Sequence, residues 1–201
     1  MHIIKELNKV KNKNIYNLVI DDKTYTFDED TILEFHLFKD KEIDDDILDR
    51  ALNSAKISSY YEKALSYSIK YAKGSKEVYY YLLDKGLDIN SSHEIVNKLV
   101  ERKIIDDKNL IKAIIYSLIK NYNGRMMIIE KLKIRKFDSK LIDEEINNLD
   151  YDFYIECLNK LYEKIKHKYD KFDDYIRVNK IKNYLYQRGY SSSDIGILDI
   201  K

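Results

Sequence analysis

Three basic side chains, Lys85, Arg135 and Arg188, recur at offsets of 50 and 53 residues. Each lies inside one phrase that the chain repeats: Leu82-Leu-Asp-Lys-Gly-Leu-Asp88, Leu132-Lys-Ile-Arg-Lys-Phe-Asp138 and Leu185-Tyr-Gln-Arg-Gly-Tyr-Ser191. A second, looser set, Lys76, Arg125 and Arg177, falls near the start of the helix that each phrase closes. Cations repeated at one place in successive units can follow a phosphate backbone or meet an acidic protein surface. Basic residues at helix C-termini also complement the helix dipole. That reading accounts for Lys85 and Arg188 but not for the helix-start set. Tyr79-Tyr80-Tyr81 adds aromatic surface. Three consecutive helical residues span roughly 200°, so they cannot all be buried. Tyr81 is expected in the core, leaving Tyr79 and Tyr80, beside Lys73, Lys76 and Lys85, to stack on bases or anchor a protein partner.

Other chemistries find little support. His2, His36, His93 and His167 are scattered, and none stands at metal-ligand spacing with Cys157. Cys157, beside Leu158 and one turn before Leu161, reads as a buried structural thiol. Gly74-Ser75 and Gly124-Arg125 lack the lysine and spacing of a phosphate loop. Asp106-Asp107 and Asp44-Asp45-Asp46 read as helix starts. With no convergent acid, base or nucleophile, the expectation is a non-enzymatic protein without cofactor or metal.

The elements that would position these residues follow from periodicity. Residues 3–27 alternate like strands, with Asn12-Lys13-Asn14 and Asp21-Asp22-Lys23 as turns and Thr24–Phe27 pairing back on Ile15–Ile20. Asp28–His36 suits a short helix opened by acidic residues, and Lys39-Asp40-Lys41 a turn. Asp44 or Asp45 can cap a helix running toward Ala55. Ser59-Tyr-Tyr-Glu62 has the capping-box pattern and would open the next one. From there the period is 3.6. Gly74, with Ser75 as cap, and Gly124 separate first helices from second, and Gly86 ends a second helix in the left-handed conformation. Third helices start near Ser91, at Asp138 or Ser139, and at Ser191. The expected fold is mainly α: three tandem three-helix repeats behind a small N-terminal antiparallel β segment. The corresponding divisions are 1–56 for the head, then 57–104, 105–150 and 151–201 for the repeats, the last helix cut short.

Composition agrees with a folded chain. Of 201 residues, 44% are hydrophobic, and there is one cysteine, no Pro, no Trp and 19 Tyr. No apolar run approaches the roughly 18 residues of a membrane span, and the N-terminus lacks a signal-peptide layout. A lone cysteine fits a reducing compartment. The expectation is a cytoplasmic monomer with no membrane partner. The net charge of +1 hides an asymmetry: residues 1–56 carry 9 basic and 13 acidic side chains, and residues 57–150 carry 17 and 14. A mildly basic helical region permits a polyanionic partner without requiring one.

Order and spacing, rather than any single motif, make the chain similar to the RecX family, bacterial regulators of the RecA recombinase. The pieces are Ala64-Leu-Ser-Tyr67, Ser75-Lys-Glu-Val78 with Leu82 and Lys85-Gly86, Ile105-Asp-Asp107, Gly124 with Ile128 and Leu132, and Leu185-Tyr-Gln-Arg-Gly-Tyr190. The β segment with Tyr25, Phe27 and Leu37 resembles the extra head of Gram-positive-type members. The resemblance implies that the three tandem repeats form an elongated curved array lying in the groove of the RecA–single-stranded DNA filament, blocking ATP hydrolysis and strand exchange and promoting disassembly. Two departures stand out. Tyr71, Ala72 and Lys73 replace the arginines that often precede the Ser-x-x-Glu step, and Lys136 replaces the usual glycine. The competing expectation is a stacked-helix module that binds nucleic acid directly.

Overall fold

A computed structural model describes residues 1–11 and 14–200. The chain divides into two compact units, one of Met1–Tyr71 with Tyr79–Arg102, the other of Ala72–Val78 with the residues from Lys103 onward. The described residues are mainly helical, with ten α-helices and one small N-terminal sheet.

In the first unit, strands β1 (His2–Lys9), β2 (Ile15–Ile20), β3 (Lys23–Asp28) and β4 (Glu42–Ile43) form an antiparallel sheet in the order β3-β2-β1-β4. Alternation sends Ile4, Leu18, Ile20 and Phe27 to one buried face. Asp21 takes the left-handed conformation (φ 54°) in the two-residue β2–β3 turn, a role short acidic side chains tolerate. Two residues of the expected Asn12-Lys13-Asn14 turn lie outside the described residues. Strand β4 adds to the expected sheet; at two residues it is too short to show a period. Helix α1 (Glu29–Phe35) starts where Asp28 accepts a hydrogen bond from the Thr31 amide at 2.8 Å.

Helix α2 runs unbroken from Asp45 to Tyr71, opened by Asp44, whose carboxylate accepts from the Ile47 amide at 2.8 Å. This replaces the two helices expected here. The Ser59–Glu62 pattern is not used as a capping box, because Ser59 stays helical. No Gly or Pro interrupts residues 45–71, and Ala51 and Ala64 are fully buried, so packing carries the helix through the serines. His2, at the start of β1, ties the sheet to α2: its Nδ1 lies 2.7 Å from Asp21 and its Nε2 2.6 Å from Asp45. Those hydrogen bonds raise the imidazole above its ordinary pKa. Helices α3 (Ser75–Asp84) and α4 (Ile89–Glu101, capped by Asp88) come next, with Leu82, Ile95 and Leu99 buried.

The second unit contains α5 (Asp107–Lys120), α6 (Arg125–Ile134), α7 (Ser139–Asn147), α8 (Tyr151–Ile165), a 3-10 turn at Lys166–Tyr169 that periodicity does not foretell, α9 (Asp174–Gln187) and α10 (Ser192–Ile195). Asp106, Asp138, Asp150 and Asp173 each accept an amide hydrogen bond at a helix start. A capping box does form at Ser191 and Asp194. Ser75 does not cap α3; it is the first helical residue, and its amide donates to Asp107 Oδ1 at 2.8 Å. The core gathers Ile111, Ile128, Leu132, Ile142, Leu158, Ile181 and Leu185 around fully buried Tyr154. Cys157 is buried among them, and burial pushes its thiol up, away from reactivity.

Candidate functional site

The repeated phrase is a helix exit built three times. After α3 the Leu87 amide donates to the Leu82 carbonyl (3.1 Å) and the Gly86 amide to the Leu83 carbonyl (2.9 Å). After α6 the same pair runs Phe137 to Leu132 (3.3 Å) and Lys136 to Lys133 (2.8 Å), and after α9 Tyr190 to Leu185 (3.2 Å) and Gly189 to Tyr186 (2.9 Å). These are Schellman closures, which need one left-handed residue. It is Gly86 (φ 88°), Lys136 (φ 62°) and Gly189 (φ 86°). The apolar residue after each, Leu87, Phe137 or Tyr190, is buried with the leucine that accepts its bond. Lys85, Arg135 and Arg188 are therefore the last-turn cap residues of their helices, at identical positions. The looser set has no such equivalence: Lys76 is the second residue of α3, Arg125 the first of α6 and Arg177 the fourth of α9.

The cations differ in what they already hold. Lys85 is exposed, its ammonium 5.7 Å from the Tyr81 ring centre and its carbonyl accepting from the Tyr60 hydroxyl at 2.7 Å. Lys76 is exposed. Arg135 turns inward, donating to Glu77 Oε2 at 2.7 Å and to the Ala72 carbonyl at 3.0 Å. Glu77 also accepts from Lys73 Nζ and the Gly74 amide, both at 3.0 Å. Burial pushes the Glu77 carboxyl up, but the bonds from Arg135, Gly74 and Lys73 outweigh it and hold its pKa below the ordinary value. Arg188 donates to the Tyr184 hydroxyl at 3.2 Å and lies over that ring. Arg125 sits 5.3 Å from the ring centres of both Tyr151 and Tyr154, and its amide donates to the Tyr154 hydroxyl, which donates on to Asp194. Burial raises the Tyr154 phenol well above its ordinary value. Arg177 pairs with Asp174 at 2.9 Å.

The tyrosine run divides by its neighbours. Tyr81 is half-buried rather than in the core, stacked on Tyr67 at 4.1 Å, while Tyr79 lies 4.4 Å from the His93 ring and Tyr80 is 42% exposed. Two acids that the sequence pattern does not single out matter here. One is Glu77, the hub of Arg135 and Lys73. The other is Glu145, on the apolar stripe of α7 with Ile142 and Ile146 and only 3% exposed.

A family model described as RecX, third three-helix domain, matches residues 152–196. The chain is 30% identical over 191 residues to the regulatory protein RecX of Streptococcus pneumoniae serotype 19F, a match covering 93% of this chain and 72% of that one. A crystal structure of a regulatory protein RecX superposes with a TM-score of 0.82 over the full length of both chains at 20% identity, so it shares the fold. The crystal structure of RecX from Lactobacillus salivarius reaches 0.66 at 26% identity, covering 70% of this chain and 92% of that one. Three identical helix exits behind an N-terminal sheet, together with a match over nearly the whole length, lead to one conclusion: the chain belongs to the RecX family of regulatory proteins.

Proposed function

We propose that this protein is a non-enzymatic regulator that binds the RecA–single-stranded DNA filament, as a monomer in the cytoplasm, and suppresses recombinase ATP hydrolysis and strand exchange. Family membership across nearly the whole chain carries this reading. The geometry adds a basic cap residue at each of three equivalent helix exits, a recurrence suited to a partner that itself repeats. Lys76, Tyr80 and Lys85 are the exposed members of the candidate contacts, and Arg188 is half-buried. Arg125, Arg135 and Arg177 spend at least part of their hydrogen-bonding or stacking capacity inside the fold, so their share in binding is the smaller one. The head (1–56) and three repeats (57–104, 105–150, 151–201) are the units through which it would engage.

A titration of the cognate recombinase with this protein tests the reading. Sub-stoichiometric amounts should suppress DNA-dependent ATPase activity and strand exchange. Unchanged ATPase at saturating protein sinks the proposal. Suppression that simply tracks sequestration of naked DNA would favour the module that acts on nucleic acid alone, whose binding falls steeply with salt.

A further inference from the structure

A strand at the edge of a sheet is a template for another chain, and proteins blunt such edges with bulges, short strands or charge. One edge of the sheet in the first unit is blunted: β4 pairs only through Glu42 and Ile43, and β1 carries a bulge between Ile4 and Glu6. The other edge, β3, is not. It pairs with β2 in unbroken register over its six residues, without bulge or proline, and its charged side chains, Lys23 and Asp28, stand only at its ends. That register fixes which backbone groups face outward. The two-residue turn makes Ile20 and Lys23 a hydrogen-bonded pair, and the Glu29 amide donates to the Asn14 carbonyl at 3.3 Å in the same phase. Tyr25 and Phe27 therefore bond to β2, while the N–H and C=O groups of Thr24 and Thr26 point away from it. Both threonines are exposed, and no strand or loop of the described residues bonds to those groups.

Beside Thr26 and Phe27 lies a groove of about 1030 Å³, walled by α2 and α4 and above the roughly 300–1,000 Å³ typical of small-ligand sites. A strand added to β3 would send the side chains opposite Tyr25 and Phe27 to the face that α2 covers, toward this groove. The lining carries four acids, Asp28, Glu29, Asp30 and Glu62, and three bases, Lys63, Lys98 and Arg102. A polyanion such as nucleic acid thus gains no net attraction. The charges are segregated, however. Three of the acids stand at the start of α1, where Asp28 is held by the Thr31 amide and hydroxyl and Glu29 by the Tyr16 hydroxyl. The bases belong to the helix wall. Arg102 donates to the Tyr61 hydroxyl at 2.8 Å and lies 5.4 Å from that ring centre, which orients the guanidinium and leaves it further donors. Lys98 is one turn earlier on α4, and both are exposed. We propose that β3 and this groove take an extended peptide segment of a partner protein as an added strand, its main chain bonded to Thr24 and Thr26 and an inward acidic side chain meeting Lys98 and Arg102. Main-chain bonds supply affinity in this mode of recognition, and the inward side chains supply specificity. The inference goes beyond the proposed function and stands whether or not that reading holds.

The test uses the full chain without recombinase, so its failure is separable from failure of the ATPase titration. A phage-displayed library of random nonapeptides is panned on the chain, and synthetic copies of the enriched sequences are titrated by fluorescence anisotropy. They should be rich in β-branched residues and carry an aspartate or glutamate at an inward position. N-methylating one selected peptide at alternate residues should abolish binding in one phase and leave it in the other, because only one set of its amides faces β3. Thr26→Pro removes an outward N–H that β2 does not use, a change that an edge strand tolerates, and should weaken binding about tenfold. Lys98→Glu should weaken it about threefold, the scale of an exposed ion pair. Enrichment of no sequence, or of sequences without an acid, overturns the proposal, as does equal binding in both N-methyl phases or to a folded Thr26→Pro protein. Displacement of the peptide by an oligo-dT strand would give the groove to nucleic acid, and a dimer in analytical ultracentrifugation that Thr26→Pro dissociates would give the edge to a second copy; either overturns it. If Thr26→Pro loses its circular dichroism, the N-methylated pair alone decides.

Discussion

Replacing Gly124 by alanine puts the seating of α6 against the exit of α9 to a quantitative test. A Cβ at this position would fall 2.2 Å from the Gly189 carbonyl carbon, 2.3 Å from its oxygen and 2.3 Å from the Tyr190 nitrogen. These are backbone atoms, so no rotamer change relieves the overlap. Ordinary van der Waals contact begins near 3.4 Å, and the two backbones would have to part by more than 1 Å. The Gly124 amide donates to the Arg188 carbonyl at 2.7 Å and the Met126 amide to the Gly189 carbonyl at 3.1 Å, and that displacement breaks both. Overpacking a core costs about 1–3 kcal/mol, and two hydrogen bonds add about 0.5–1.5 kcal/mol each. The expected loss is therefore about 3–5 kcal/mol, a large share of the 5–15 kcal/mol typical of a folded domain. Urea unfolding followed by far-ultraviolet circular dichroism measures it, and the melting temperature should drop by roughly 10 °C. Gly74→Ala is the internal comparison. There the added carbon meets only side-chain atoms, the Phe137 ring at 2.6 Å and Asp107 Oδ1 at 3.0 Å, which can give by small side-chain shifts where a backbone cannot, so the cost should be smaller. A Gly124→Ala protein within about 1 kcal/mol of the parent would refute the reasoning.

Two further outcomes concern the same unit. Glu77→Gln should destabilise by about 2 kcal/mol at neutral pH, the cost of breaking a buried ion pair reduced for the partial exposure of Glu77. Because the folded Glu77 carboxyl titrates below its unfolded value, its contribution is present above the unfolded pKa and is lost as pH falls through the folded one. The difference between parent and variant in urea should thus shrink in acid; a gap independent of pH would count against the ion-pair account. Lys136→Gly removes a side chain from a left-handed residue at φ 62°. It should stabilise by about 0.5 kcal/mol in the same urea assay, the strain relieved less the entropy of added backbone freedom. The reverse exchange, Gly189→Ala, is not its mirror, since its Cβ would meet the Met127 amide nitrogen at 2.5 Å.

The second-helix exits are legible from residue types alone, because a Schellman closure demands an ordered run: apolar, basic, left-handed, apolar, cap. Three copies leave little ambiguity about it. The sheet is legible from alternation, and Cys157 from its place on an apolar stripe. The continuity of α2 is not, because Ser59 and Glu62 satisfy a local capping pattern that only tertiary packing over Ala51 and Ala64 overrides. Arg135 deceives for a related reason. Its position matches Lys85 and Arg188, but its partner Glu77 lies 58 residues earlier, a separation that no period reveals. Glu145 does leave a signal, an acid at the inward spacing between Ile142 and Ile146, which a search for clustered catalytic groups passes over.

The uninterrupted course of α2 has a mechanical meaning. At 27 residues it is a rod of about 40 Å, and one end is clamped to the sheet through His2 and Asp45 while the other reaches Tyr71. A helix without Gly, Pro or a loop has no hinge to absorb torque. A push on the sheet is therefore delivered as leverage to the residues around Tyr60 and Tyr61 instead of being dissipated between them. Severing the chain at residue 56 would cut that rod near its midpoint, so removing the head would also take away the stiffness of residues 57–71.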